Sequence, residues 1–166
     1  SVVFCRILSY SVVFCPHMPT TDISPAEFAR HAHRLADWIA TYLRDVHQYD
    51  VLATTAPGAI RAQLPKSPPL APESLDDIIA DLDRVVLPGA THWNHPGFLA
   101  YFANTASVPG ILGEMVTAAL NLNGMLWRTS PVATELEQVV TDWLRQLFGM
   151  GDGWFGMITD TASIST

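Results

Sequence analysis

The sequence predicts a mainly α chain, with an N-terminal helical segment ahead of further helices. Three observations carry that prediction. Four runs place apolar residues at the spacing of a helix face. Serines stand just ahead of those beginning at 25, 75 and 131, where a side-chain oxygen can satisfy the free N–H groups of a first turn. Between the runs lie stretches rich in proline and glycine, which interrupt helices.

The first 21 residues stand apart. "SVVFC" occurs at 1–5 and again at 11–15, a ten-residue period too short and too few for a solenoid. The stretch lacks the basic start and cleavage pattern of a signal peptide. It reads as an extension of separate origin, with Met18 as the candidate natural start. Cys5 and Cys15 are the two cysteines, and they form no metal-ligand or redox spacing. A reducing compartment, the cytoplasm, fits that usage.

"SPAE" at 24–27 opens the first helix: Ser24 caps, Pro25 suits the first turn and Glu27 completes a capping box. Phe28, Leu35, Ile39, Tyr42, Leu43 and Val46 then recur at helical spacing, which predicts a helix over 25–48. His31 and His33 are two apart and share no helix face, so they make a poor metal pair. Residues 56–73 carry five of the twelve prolines and read as an extended connector, too apolar to be a free linker and so lying against a surface. A second helix follows Ser74, with Leu75, Ile78, Ile79, Leu82, Val85 and Val86 on one stripe, and "LPG" at 87–89 stops it. Pro109–Leu120 reads as a third helix, so continuously apolar that it should be buried. "TSP" at 129–131 starts a fourth, through Leu136, Val139, Val140, Trp143, Leu144 and Leu147, ending before the turn chemistry of "GMGDGWFG". "MITDTASIST" at the end reads as a short strand entering a helix. Its small, hydroxyl-rich turn offers free N–H groups and the positive end of a helix dipole, which suits a phosphate; a plain Ser/Thr cap has the same sequence.

Composition bounds the partners. The formal net charge is −7 and the nine basic residues are scattered, which argues against nucleic acid as a partner. No apolar run approaches the roughly 18–20 residues of a membrane span. Hydrophobic residues make up 49%, enough for a sizeable core. The most unusual stretch is "THWNHPGFLAYFAN" at 91–104, in which six of fourteen residues are aromatic or histidine. It is either core packing or a wall that faces a ligand.

Four segments, "HPGFLAYFANTASVPGILGEM", "NGMLWRTSPVATELE", "DWL" at 142–144 and "DTASIST", resemble in order and spacing the pyridoxal-phosphate-dependent group II decarboxylases, the family of aromatic L-amino-acid and tyrosine decarboxylases and their bacterial relatives. "SPAEFARHAHRLADWIATYL" is similar to their N-terminal helix, so the resemblance covers roughly 22–166. It implies the aminotransferase-like fold type I: a helical, dimer-wrapping segment with its connector over 22–90, and the start of the α/β cofactor-binding large domain over 91–166. It implies pyridoxal 5'-phosphate as cofactor, an L-amino acid as substrate, and an intertwined homodimer whose active site is shared across the interface.

The resemblance also implies roles for residues. Trp93, Tyr101 and Phe102 match aromatic positions that contact the substrate side chain. Asn123 and Met125 match positions contributed to the partner's active site, where the animal enzymes carry apolar and aromatic residues. Ala103 and Asn104 replace a Pro-Thr pair, so the pocket should be more polar and less tightly walled. Thr161, Ala162 and Ser163 match the turn that holds the cofactor phosphate. The family's Schiff-base lysine, its carboxylate at the pyridine nitrogen and its stacking histidine lie beyond that turn. The chain's sole lysine, Lys66, sits in the proline-rich connector and reads as a surface residue. No catalytic residue is therefore expected within these 166 residues, and the chain alone is expected to be inactive. Two other readings stay open: a non-catalytic helical interaction module, and a relative acting on an acidic amino acid or a diamine.

Overall fold

The computed structural model describes residues 23–68, 70–102, 104 and 106–159. Helix α1, Pro25–Asp45, opens on the expected reciprocal cap. Ser24 Oγ accepts the Glu27 N–H at 3.2 Å, and Glu27 Oε2 accepts the Ser24 N–H at 3.1 Å. Those bonds, led by the one from the Ser24 backbone, hold the Glu27 carboxyl below its usual range. The helix tightens into a 3-10 turn, Val46–Gln48, so the expected 25–48 span is met in two parts.

The connector is not wholly extended. A five-residue helix α2, Ala59–Gln63, forms behind Gly58, whose φ of 88° is a left-handed conformation that glycine adopts without strain. Its position has a packing reason: a Cβ on Gly89 would lie 2.7 Å from Ile60 Cδ1, so the Ile60 side chain is pressed onto the 87–89 turn. The connector does lie against a surface, and Ile60 is its anchor.

Ser74 Oγ accepts the Asp77 N–H at 3.1 Å and starts α3, Leu75–Asp81. Asp76 and Asp77 stand in its first turn, where the helix dipole favours negative charge. The helix widens into a π turn, Leu82–Val86, and ends in a 3-10 turn, Leu87–Gly89, that contains Pro88. It packs across α1. Arg30 Nη1 reaches Asp76 Oδ2 at 3.2 Å, Arg34 Nη1 reaches Asp76 Oδ1, and Trp38 Nε1 donates to Asp83 Oδ1 at 2.7 Å. The two guanidiniums, Arg30 first, hold the Asp76 carboxyl below the ordinary carboxylate value.

The chain divides into two compact units, Ser1–Thr105 and Ala106–Thr166. The first has a small apolar core, in which Val46, Val85 and Phe98 are buried. In the second, Ser107 caps α4, Val108–Leu120, which closes on Asn121 at φ 49°, a left-handed C-cap. Ser130, 3% exposed, caps α5, Pro131–Leu147.

The expectation that the third helix is buried fails. Leu112, Met115, Val116 and Leu120 of α4 are 50–64% exposed, because no strand or second layer among the described residues of this unit covers them. The expected terminal strand is also absent at its described end: 157–159 form no regular element, and the remainder lies outside the described residues.

Candidate functional site

Residues 91–98 are held by the chain that leaves α1. The His92 N–H donates to Val51 O at 2.9 Å, and the Ala53 N–H donates to Thr91 Oγ1 at 3.3 Å. His95 Nδ1 accepts the Gly97 N–H at 2.8 Å, which leaves the ring proton on Nε2 to donate to His47 O at 3.3 Å. Tight turns close the stretch, His95 N–H to His92 O and Phe98 N–H to His95 O, each at 2.9 Å. These bonds engage the N–H groups of His92, Trp93, His95, Gly97 and Phe98 and fix the course of the backbone.

Those rings form two clusters. Phe98 is buried, and Trp93 stacks on it at 4.6 Å between centroids. Tyr101 stacks on Trp93 in turn, at 5.9 Å and 15° between planes. Trp93 is 42% exposed, Tyr101 88% and Phe102 91%. Tyr101 stands at φ 55°, a left-handed conformation that costs a bulky side chain on the order of 1–3 kcal/mol and recurs at functional sites. Of the three aromatic positions expected to face a substrate, Trp93 and Tyr101 are brought together. Phe102 follows them, open to solvent and outside their stack.

The second cluster forms around His92. His92 is 4% exposed, and its ring stacks on Tyr49 at 5.0 Å and tilts against Tyr42 at 5.6 Å. Its Nδ1 stands 3.0 Å from the Tyr42 hydroxyl. Burial, aided by the nearby His95, pushes the His92 imidazole below its ordinary value. Burial, then Tyr49, raises the Tyr42 phenol, against an opposing hydrogen bond from Asn94. Both groups are thus kept neutral near pH 7. Sequence reasoning did not single out His92, Tyr42, Tyr49 or Phe98 for the site. The available signal was Tyr42 on the apolar stripe of α1, where its hydroxyl needs a partner.

In the second unit Asn123 and Met125 share one loop. Asn123 Oδ1 accepts the Met125 N–H at 3.0 Å, an Asx turn, and Thr129 Oγ1 donates to Asn123 O at 2.9 Å. Met125 is left 72% exposed. Further on, Glu137 Oε1 accepts the Ile158 N–H at 2.6 Å. A Cβ on Gly156 would meet Thr141 Cβ at 2.6 Å, so only glycine allows this approach to α5. The strand of chain that leads toward Thr161, Ala162 and Ser163 is thereby tied to α5, while those three residues lie outside the described ones. Lys66 is exposed on the connector.

Residues 57–166 match the family model described as the pyridoxal-dependent decarboxylase conserved domain, and the chain belongs to that family. The chain is 41% identical over 135 residues to tyrosine/DOPA decarboxylase 2 of Papaver somniferum, a match covering 81% of this chain and 25% of that protein. It is 42% identical over 131 residues to phenylacetaldehyde synthase of Petunia hybrida, covering 79% and 26%. The solved Catharanthus roseus tryptophan decarboxylase in complex with L-tryptophan superposes with a TM-score of 0.80 at 40% identity, over 86% of this chain and 32% of that one. The chain thus spans about a quarter to a third of the length of the relatives it matches.

Proposed function

We propose that this chain is the N-terminal part of a pyridoxal-phosphate-dependent decarboxylase that removes the α-carboxylate of an aromatic or related L-amino acid. The observation that carries the reading is the exposed stack of Trp93 and Tyr101, anchored on buried Phe98. An aromatic substrate gains offset or edge-to-face contacts on such a wall. Phe102 extends the wall, and Asn123 and Met125 serve the active site of a second copy, in a homodimer that works in the cytoplasm. The exposed apolar side of α4 supports docking on a further surface.

The residues of this chain fit the phosphate of the cofactor and not its aldehyde. Thr161, Ala162 and Ser163 supply two hydroxyls and small side chains that suit a phosphate, and they follow a segment tied down by Glu137 and Gly156. Lys66, the sole lysine, is exposed on the connector. When bound, the cofactor supplies the electron sink that accepts the pair left behind by departing carbon dioxide. The part of this chain is to bind and orient: the phosphate turn fixes one end, and the aromatic wall receives the side chain and excludes water from it.

The test is carbon dioxide release by the full-length protein with pyridoxal phosphate, from L-tryptophan, L-tyrosine, L-glutamate and a short aliphatic amino acid. Aromatic substrates are expected to dominate. A preference for glutamate favours the acidic-substrate reading. No turnover of any of them favours the interaction module. Because one relative is named an aldehyde synthase, the product is identified as well, amine against aldehyde.

A further inference from the structure

We propose that Tyr42 is a positioning residue for the aromatic wall: through His92 it sets where Trp93, and with it Tyr101, stands. The inference rests on the reading of 91–102 as a substrate wall. Tyr42 lies on the last turns of α1, and its hydroxyl meets His92 Nδ1 at 3.0 Å across fifty residues of sequence. His92 is gripped at two places, its backbone N–H on Val51 O at 2.9 Å and its ring against Tyr42 and Tyr49, which also stack on each other. Trp93 is the next residue. The backbone on either side of it is pinned as well, the Trp93 N–H donating to Thr91 O at 3.1 Å and the His95 N–H to His92 O at 2.9 Å. Trp93 then carries Tyr101 on its stacked face, and Tyr101 keeps a φ of 55°, uncommon for a bulky non-glycine residue.

Ring packing alone would not orient His92, because rotation about its second side-chain torsion is broad. The hydroxyl adds the direction. Tyr42→Phe therefore keeps the stacked rings and removes the orientation.

The experiment uses the full-length protein with cofactor bound. Tyr42→Phe is expected to raise KM for an aromatic L-amino acid about fivefold, the worth of one hydrogen bond. The kcat, the cofactor affinity and the KM for a short aliphatic amino acid should each move by less than about twofold. His92→Asn, which removes the link from the other side, should show the same selective rise. In a Trp93→Ala background, Tyr42→Phe should have no further effect on KM, because both act through one ring. Unchanged KM values with a lowered melting temperature, or effects of Tyr42→Phe and Trp93→Ala that multiply, would overturn the positioning role alone. An unsubstituted protein that turns over no aromatic amino acid would instead sink the functional reading, and the positioning role with it.

Discussion

Burial decides the chemistry of His92. Its imidazole takes up a proton less readily in the folded chain than in the unfolded one, where it does so near the ordinary value of about 6.5. Below that pH the unfolded state binds more protons than the folded one, so stability falls as pH falls. It is fully present above about 6.5 and is lost as the pH drops through the depressed folded value. Thermal melts at about pH 7.5 and about pH 5 should therefore show a lower midpoint in acid, and His92→Gln should flatten the difference. Equal slopes in both proteins would place the pH dependence elsewhere. Asp76 does not confuse the test: its carboxyl is depressed by Arg30 and Arg34, so its contribution is lost only on further acidification, into the carboxylate range.

Helix α5 is held by its own cap, and its body, through Glu137 and Thr141, holds the 156–158 segment. Ser130 Oγ accepts the Ala133 N–H, and Ser130→Ala should destabilise the second unit by about 1 kcal/mol. Gly156→Ala puts a methyl group 2.6 Å from Thr141 Cβ, which cannot be relieved without moving the 156–159 segment. In the full-length protein this change should weaken cofactor binding with little effect on substrate preference once saturated; unchanged cofactor affinity would separate Gly156 from that turn. The helices themselves were legible in the sequence because their signals are local. Ser24 with Glu27, Ser74 and Ser130 each cap the helix expected of them. Helix α2 was not legible, because five residues carry no periodicity and what places them is Ile60 against Gly89, a contact 29 residues away in sequence. The exposure of α4 was illegible for the converse reason. An apolar run reports that a surface wants cover, not where the cover lies. Trp93 and Tyr101 could be picked out as aromatic in an odd place, but their pairing, and the Tyr42–His92 contact, exist only once α1 meets the 91–98 turns.

A chain with so few buried apolar side chains among its described residues and an exposed α4 should not behave as an isolated monomer. Sedimentation at micromolar concentration is expected to show self-association, and a compact monomer would contradict the exposure seen in α4. The same chain, mixed with pyridoxal phosphate, should release no carbon dioxide above the cofactor-only rate, since Lys66 is its sole lysine and stands on the exposed connector. The claim on which the rest depends is that residues 91–102 form a substrate wall. Its most direct test compares kcat/KM of the full-length enzyme and its Tyr101→Ala variant on an aromatic and a short aliphatic L-amino acid. The expected result is a loss of at least about tenfold for the aromatic substrate, from ring contact and buried area together, and a smaller loss for the aliphatic one, with cofactor affinity unchanged. An equal loss for both substrates, or a loss that arises by release of the cofactor, would contradict it and make Tyr101 a structural residue.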